Sequence, residues 1–232
     1  MPRTQPPSPP VSNLRIVAML TLAFLMFVVM LFIPAGTLRW PAGWLYMLVY
    51  FSYAVPVVFW LKKHSPTLLR KRFGADATRM KPWDKALMTL MTFPFLGVYI
   101  VPALDVRFHW SNAPLLTYIS GFIGLILSFG IFFWVMIENA YASRIVEIQK
   151  GQKVISTGSY AVVRHPMYAA GIAFALLTPL SLGSVWGLIP AVLVIPFLAL
   201  RAVLEEKTLL KELPGYRAYA KKVKYRFLPG VW

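Results

Sequence analysis

Five long stretches without a charged residue constrain this chain more than any other feature. They cover residues 16–33, 40–61, 86–104, 111–137 and 167–200. The first four contain 18 to 27 residues each, and a helix of that length rises far enough, at ~1.5 Å per residue, to cross a hydrocarbon core of ~30 Å. The chain is therefore predicted to be an all-α integral membrane protein.

The fifth stretch contains 34 residues, and as one helix it would be about 50 Å long, too long for one crossing. Pro179, Ser181 and Gly183 lie near its middle, where a turn is expected. We therefore predict a short-armed helical hairpin over 167–200, which brings the total to about six transmembrane helices.

The positive charges predict how the chain is oriented. The sequence has 24 Lys and Arg against 8 Asp and Glu, a net charge of +16, and only Arg39 and Arg107 lie on one predicted side of the membrane. By the positive-inside rule, both termini and the 62–85 loop face the cytoplasm, which in a bacterium means the inner membrane. The basic residues lie next to the spans, where they meet anionic lipid headgroups, and no separate basic domain exists for nucleic acid.

Residue types that are absent exclude several classes of site. The chain has no cysteine, which rules out disulfides, iron–sulfur clusters and a cysteine nucleophile. The three histidines, His64, His109 and His165, fall on different predicted sides of the membrane, so we expect no metal site. The charge-free spans argue against a proton-coupled transporter or an ion channel.

The sequence divides into three regions. Residues 1–13 contain five prolines and are predicted to form a disordered tail, 14–137 form the N-terminal transmembrane helices, and 138–232 form the region expected to carry the chemistry. In that last region the polar segments 138–166 and 201–232 flank the hairpin, which brings them together at one face of the membrane.

Two groups of side chains in these segments could form a site. Tyr160, Arg164, His165 and Tyr168 lie within nine residues at the mouth of the hairpin, although His-Pro could simply begin a helix. Arg201 and Glu205 have the i,i+4 spacing of one helical face. They could form an ordinary ion pair at the interface or the polar floor of a site.

The order and spacing of these residues resemble a known family. The similar run begins at Asn139, covers about two fifths of the chain, and resembles the isoprenylcysteine carboxyl methyltransferases and, more broadly, the membrane methyltransferases that include phospholipid N-methyltransferases. Besides Asn139 it contains Gln149 and the segments 152–160, 164–168 and 201–209, followed by Tyr216, Tyr219 and the closing 223–232.

The resemblance implies an enzyme that binds S-adenosylmethionine (SAM) at the cytoplasmic face. It implies cofactor contacts at Gln149, Gln152, Lys153, Val154, Ile155, Tyr160, His165, Pro166, Met167, Tyr168 and Glu205. Arg201 and Glu205 are the expected catalytic residues, and Arg201, Arg164 and Asn139 are expected to contact the substrate. The implied reaction is methylation of a lipophilic or prenylated acceptor in contact with membrane lipids, in the first place isoprenylcysteine-type carboxyl O-methylation.

Three alternatives stay open at this point. The acceptor could be a phospholipid or another amine. The C-terminal part is also similar in outline to membrane reductases of the sterol-reductase type, which would require NADPH instead of SAM. Finally, the protein could keep the fold without an enzymatic activity, although the presence of Arg164, His165, Arg201 and Glu205 argues against this.

Overall fold

A computed structural model describes residues 11–73 and 80–232. Residues 1–10 of the predicted tail and residues 74–79 of the 62–85 loop lie outside the described residues. The described part consists of helices and connecting segments, without strands. The helices are α1 (Asn13–Ala35), α2 (Pro41–His64), α3 (Pro66–Phe73), α4 (Pro82–Phe108), α5 (Leu115–Glu138), α6 (Ser159–Val162), α7 (Pro166–Ser181), α8 (Leu188–Glu212) and α9 (Tyr216–Lys222).

Five of these helices, α1, α2, α4, α5 and α8, are long and apolar enough to cross a membrane. The prediction of an all-α membrane protein is confirmed. The hairpin is also present, with its turn between Ser181 and Leu188. Its arms differ in length: α7 has 16 residues, whereas α8 has 25 and continues beyond the apolar stretch to Glu212. As a result, Arg201 and Glu205 lie on the same continuous helix as the second arm.

Polar contacts at both ends of the bundle show which helix ends lie next to each other. At one end, Lys81, just before α4, donates hydrogen bonds to Thr208 (3.2 Å) and Glu212 (2.8 Å) of α8. At the other end, the buried carboxylate of Asp105 accepts hydrogen bonds from the hydroxyls of Ser111 (2.6 Å) and Ser184 (2.5 Å). The start of α4 therefore lies beside the end of α8, and the hairpin turn is tied down at the opposite end.

Small residues let α5 and α7 pack closely. A Cβ added at Gly121 would lie 2.7 Å from the carbonyl carbon of Leu180, and one added at Gly124 would lie 2.7 Å from the Leu177 side chain. Further along the same pair of helices, the Ser128 hydroxyl donates to the carbonyl of Ala170 at 2.8 Å. Gly121 and Gly124 thus allow the two helices to approach closely. This contact fixes α7, and with it the His165–Tyr168 segment, relative to the end of α5.

Candidate functional site

A pocket that is partly open to solvent lies where α5 ends and α7 begins. Its walls come from the segment that follows α5, from α6, from the first turn of α7, from the second half of α8 and from α9. The lining residues are Asn139, Tyr141, Ala142, Ser143, Ile145, Val146, Glu147, Ile148, Gln152, Lys153, Val154, Ile155, Tyr160, Arg164, His165, Met167, Tyr168, Arg201, Glu205, Leu209, Leu213, Tyr216 and Tyr219. The two polar segments predicted to meet therefore do meet here.

Most of the residues expected to contact cofactor or substrate line this pocket, and two do not. Pro166 occupies the first turn of α7, where its missing N–H costs nothing. The side-chain amide of Gln149 donates to the carbonyl of Tyr141 at 3.0 Å, and its backbone N–H donates to the Gln152 side chain at 2.9 Å. The geometry gives Gln149 and Pro166 roles in shaping the chain around the pocket, and their contacts with a cofactor stay predictions.

Glu205 and Tyr168 form the polar centre of the pocket. The Tyr168 hydroxyl donates a short hydrogen bond to Glu205 Oε2. The Tyr168 ring lies parallel to the imidazole of His165, with 5.4 Å between centroids, and the Arg201 guanidinium lies 5.5 Å from its centroid. Within the described residues no cation pairs with Glu205, so its negative charge is left for a bound group.

The neighbouring acid, Glu206, has a different role. Its carboxylate accepts hydrogen bonds from Nε of Arg164 at 2.5 Å and from Nε of Arg226 at 2.8 Å, and it lies 3.2 Å from Nε2 of His165. Only 8% of its side-chain surface is exposed. The sequence analysis did not predict this cluster around Glu206. Consecutive helical positions point about 100° apart, and this alone implies different surroundings for Glu205 and Glu206.

Arg201 pairs with an acid that sequence reasoning did not identify. Its Nε donates to Oδ1 of Asp84 at 2.7 Å, and its Nη2 donates to Oδ2 at 3.3 Å and to the carbonyl of Arg144 at 2.8 Å. Asp84 is fully buried and also accepts the backbone N–H of Val146 at 3.0 Å. The alternative of an Arg201–Glu205 surface ion pair is wrong, because Arg201 turns to the start of α4. Arg201 and Asp84 are 117 positions apart in the sequence, and no local sequence pattern predicts a contact over that distance.

The C-terminal segment packs against the start of α7, next to the pocket. The guanidinium of Arg164 donates to the carbonyls of Val223 (2.7 Å) and Lys224 (2.8 Å). The backbone N–H groups of Arg164 and His165 donate to the carbonyls of Tyr225 and Arg226, each at 2.9 Å. Arg164 therefore helps to build the wall, and its contact with a substrate stays a prediction.

A second wall is built around Tyr160. Asn139 donates from Nδ2 to the Tyr160 hydroxyl at 2.7 Å, and the Tyr219 hydroxyl donates to the Tyr160 carbonyl at 2.8 Å. Burial raises the pKa of Tyr160 to about 12, so its hydroxyl is neutral at physiological pH. It can act only through hydrogen bonding and through its aromatic face.

The turn that presents Tyr160 depends on Glu138 and Gly158. The Glu138 carboxylate accepts the backbone N–H of Ser159 at 2.9 Å and the Ser159 hydroxyl at 2.8 Å, which caps α6. Gly158 has φ +52°, and any side chain there would collide with Glu138. These two residues fix where α6 starts and thereby the position of Tyr160.

Tyr216 carries an unsatisfied polar group at the pocket. Its side chain is buried, and its hydroxyl has no hydrogen-bond partner within the described part of the chain. Burial raises the pKa of Tyr216, so the hydroxyl keeps its proton. Tyr216 and Tyr219 belong to the run that carries the family resemblance, but their roles were not predicted. An unpaired buried hydroxyl costs roughly 1–3 kcal/mol, a cost that a polar ligand would remove.

Within the described ranges there is no group of three His, Asp or Glu side chains arranged to hold a metal ion. The polar groups of the pocket are instead the Glu205 carboxylate, several phenols, the Lys153 ammonium group and the guanidinium groups of Arg164 and Arg201, which are paired with Glu206 and Asp84. This set suits a cationic or mixed organic ligand better than an inorganic ion.

The C-terminal half of the chain is similar to one known family. Residues 116–217 match the family model described as PEMT, phospholipid methyltransferase. No curated protein matches the chain. The match begins in α5 and ends in α9, so it contains all the pocket-lining residues except Tyr219, whereas Asp84 lies outside it. The chain thus contains a region similar to the phospholipid methyltransferases, and this region supplies all but one of the residues that line the pocket.

Proposed function

We propose that the protein is an integral membrane methyltransferase that uses SAM to methylate a lipophilic acceptor. The observation that carries this proposal is that the region matching a methyltransferase family, residues 116–217, forms a single pocket at the end of the bundle. From the charge asymmetry of the sequence, we place this end at the cytoplasmic face. SAM would then enter from water, and the acceptor would enter from the bilayer.

The side chains of the pocket fit SAM, which carries a sulfonium, an ammonium, a carboxylate and an adenine. The carboxylate of Glu205 has no cationic partner in the described chain and suits the positive end of the cofactor. The aromatic faces of Tyr160 and Tyr168 suit the sulfonium and the adenine. The unpaired Tyr216 hydroxyl offers one further hydrogen bond to a polar group of the ligand.

SAM supplies a methyl group on positively charged sulfur, and its transfer is an in-line displacement that depends on alignment. The protein contributes by positioning and by excluding water. Arg201 lines the pocket and is held in one orientation by Asp84 and the carbonyl of Arg144. The C-terminal segment holds Arg164 and His165, two further lining residues, in place through backbone hydrogen bonds.

One observation favours a phospholipid as the methyl acceptor. The sequence analysis gave the carboxylate of an isoprenylcysteine as the first expectation. Carboxylates are bound most specifically by two parallel N–H groups of a guanidinium. In Arg201 the edge formed by Nε and Nη2 is already occupied by Asp84. Nη2 also donates to the carbonyl of Arg144 at 2.8 Å, so the Nη1–Nη2 edge is not free either. Arg201 therefore cannot hold a substrate carboxylate in bidentate fashion. The family match points to a phospholipid as well.

A methyl-transfer assay tests the proposal. The full chain, purified in detergent, is incubated with methyl-labelled SAM and either phosphatidylethanolamine or farnesylcysteine, and a parallel reaction supplies NADPH and a sterol. We expect label in the lipid extract with one of the first two acceptors and no sterol reduction. Absence of transfer to both, together with NADPH oxidation, would overturn the proposal in favour of a reductase.

A further inference from the structure

One wall of the pocket is an irregular segment between α5 and α6. None of residues 139–158 belongs to a helix, although about half of the residues that line the pocket come from this segment. A helix satisfies most of its own backbone hydrogen bonds, whereas an irregular segment depends on its neighbours for them. The position of this wall is therefore set by the groups that hold it from outside.

Two cations of α3 hold the wall from the side that faces away from the pocket. Nζ of Lys71 pairs with Oε1 of Glu147 at 3.3 Å. Nη1 of Arg72 donates to the carbonyl of Ala142 at 3.0 Å and lies 3.5 Å from Sδ of Met167, in the first turn of α7. Glu147, Ala142 and Met167 line the pocket, and the two cations do not. Arg72 thus connects two walls of the pocket, and Lys71 fixes one of them.

The start of α4 holds the same segment through Asp84. Its Oδ2 accepts the backbone N–H of Val146 at 3.0 Å. The same carboxylate orients Arg201, whose Nη2 donates to the carbonyl of Arg144 at 2.8 Å. Residues 142–147 are therefore held at four positions by side chains of α3, α4 and α8.

Packing fixes α3 in the place from which its cations reach the wall. Leu68 and Leu69 are each only 1% exposed. They belong to an apolar cluster that also contains Leu61 of α2 and Met136 of α5. Because both leucines are anchored between the ends of these two helices, the backbone of α3 has a defined position relative to the end of α5, where the wall begins.

We propose that the SAM site is composite, and that Lys71, Arg72 and Asp84 are positioning residues that hold the wall at 142–147 in the conformation that binds the cofactor. All three lie outside residues 116–217, the region similar to a methyltransferase family. The N-terminal half would then build part of the site besides crossing the membrane. The identity of the ligand rests on the proposed function, whereas the holding of the wall does not.

The charge of Lys71 allows a positioning role to be distinguished from an electrostatic one. SAM carries a sulfonium and an ammonium against one carboxylate, so its net charge is positive. An acid in place of Lys71 makes the surroundings of the pocket more negative, and by Coulomb attraction alone it would strengthen SAM binding. If Lys71 positions the wall, the same substitution repels Glu147, displaces the wall and weakens binding. The two explanations predict effects of opposite sign.

Calorimetric titration of SAM into the full chain in detergent tests the proposal. We expect Lys71→Glu and Arg72→Met to weaken SAM binding by about tenfold, a loss typical of residues coupled through direct contact. Lys71→Arg and Arg72→Lys should recover most of the affinity. Lys81→Glu is the matched control, because Lys81 pairs with Glu212 at 2.8 Å, its side chain is 29% exposed against 30% for Lys71, and neither partner lines the pocket. It should bind SAM like the unmodified protein.

Amide hydrogen exchange of residues 142–147, followed by mass spectrometry without any ligand, reports on the wall itself. We expect faster exchange in Lys71→Glu and in Arg72→Met, and unchanged exchange in Lys81→Glu. Thermal unfolding of each variant shows whether it is folded under the conditions of the titration.

The outcomes separate this proposal from the proposed function. Unchanged or tighter SAM binding by a folded Lys71→Glu protein would overturn the proposal, and so would an equal loss in Lys81→Glu. If the unmodified chain binds no SAM, the proposed function fails, and the exchange of 142–147 decides about the wall. Faster exchange in Lys71→Glu than in Lys81→Glu would uphold its positioning by α3, and equal exchange in both would overturn it.

Discussion

Neighbouring acids on α8 have different partners, which makes them the most informative pair of residues in the chain. Glu205 accepts a hydrogen bond from Tyr168 and faces the pocket, whereas Glu206 joins Arg164, His165 and Arg226. One carboxylate is free to bind a ligand, and the other holds the C-terminal segment in place. Substitution of each by glutamine should therefore affect different properties.

We expect Glu205→Gln to weaken SAM binding by about tenfold to a hundredfold, because it removes one charged interaction of roughly 1.5–3 kcal/mol. Its melting temperature should stay near that of the unmodified protein. Glu206→Gln should instead destabilise the fold by about 3–5 kcal/mol, because it leaves buried cations unpaired. Calorimetric SAM titration and thermal unfolding in detergent measure the two effects. Equal effects of both substitutions on SAM binding would contradict the division of roles.

The pairing of Arg201 with Asp84 leads to a second prediction. Asp84→Asn should cost about 3–5 kcal/mol of stability, because the charge of Arg201 is left buried without a partner. The double variant Asp84→Leu with Arg201→Met replaces the pair by apolar groups and should recover most of that stability. It should nevertheless fail in methyl transfer, since the guanidinium is lost. Full activity of the double variant would show that Arg201 has only a structural role.

At the scale of single residues, the sequence predicted which side chains lie together better than it predicted their hydrogen-bond partners. Tyr160, His165, Tyr168, Arg201 and Glu205 do line one pocket, because their order and spacing carried the resemblance. The contacts of Asp84 and Glu206 connect positions far apart in the chain. Such contacts depend on how the helices pack and leave no local pattern in the sequence.

Helix packing decides where the pocket lies, and the α5–α7 contact is its main determinant. The hairpin was predictable from the length of the apolar stretch and from its central Pro, Ser and Gly residues. The full length of α8 was not, because charged residues end an apolar stretch without ending a helix. The structure shows that α8 continues to Glu212 and thus carries Arg201 and Glu205 to the pocket.

Two glycines on α5 allow a matched test of this packing. Gly121→Ala should destabilise the protein by about 1–3 kcal/mol, because the added Cβ meets the backbone of Leu180 and Ser181. Gly130→Ala, where the added Cβ meets nothing within 4 Å, should gain up to about 1 kcal/mol from helix propensity. Thermal unfolding of both variants in one detergent measures the difference. A Gly121→Ala protein as stable as Gly130→Ala would contradict the close α5–α7 contact.

On the scale of the whole molecule, the two ends of the bundle differ. One end is rich in charged groups and contains the pocket. At the opposite end, Asp105 forms hydrogen bonds with the hairpin turn. The alternation of the helices agrees with the topology predicted from the charges. Which end faces the cytoplasm follows from the positive-inside rule and stays a prediction. The lack of cysteine makes this orientation straightforward to test.

Single cysteines at exposed positions near the two ends should react differently with a membrane-impermeant thiol reagent. Thr67 in α3 and Asn112 before α5 are both exposed. In intact cells we expect Asn112→Cys to be labelled and Thr67→Cys to be labelled only after permeabilisation. The unmodified chain is a blank control. The reverse pattern would mean that the pocket faces away from the cytoplasm.

The central claim, that this pocket is a SAM site, is tested most directly by calorimetric titration of SAM into the purified full chain. We expect one SAM per chain, and about a tenfold to a hundredfold loss of affinity in Tyr168→Ala, which removes both the aromatic face and the hydroxyl next to Glu205. Tyr225→Ala, at an exposed tyrosine that does not line the pocket, should bind SAM like the unmodified protein. Unchanged affinity in a folded Tyr168→Ala protein would contradict the account.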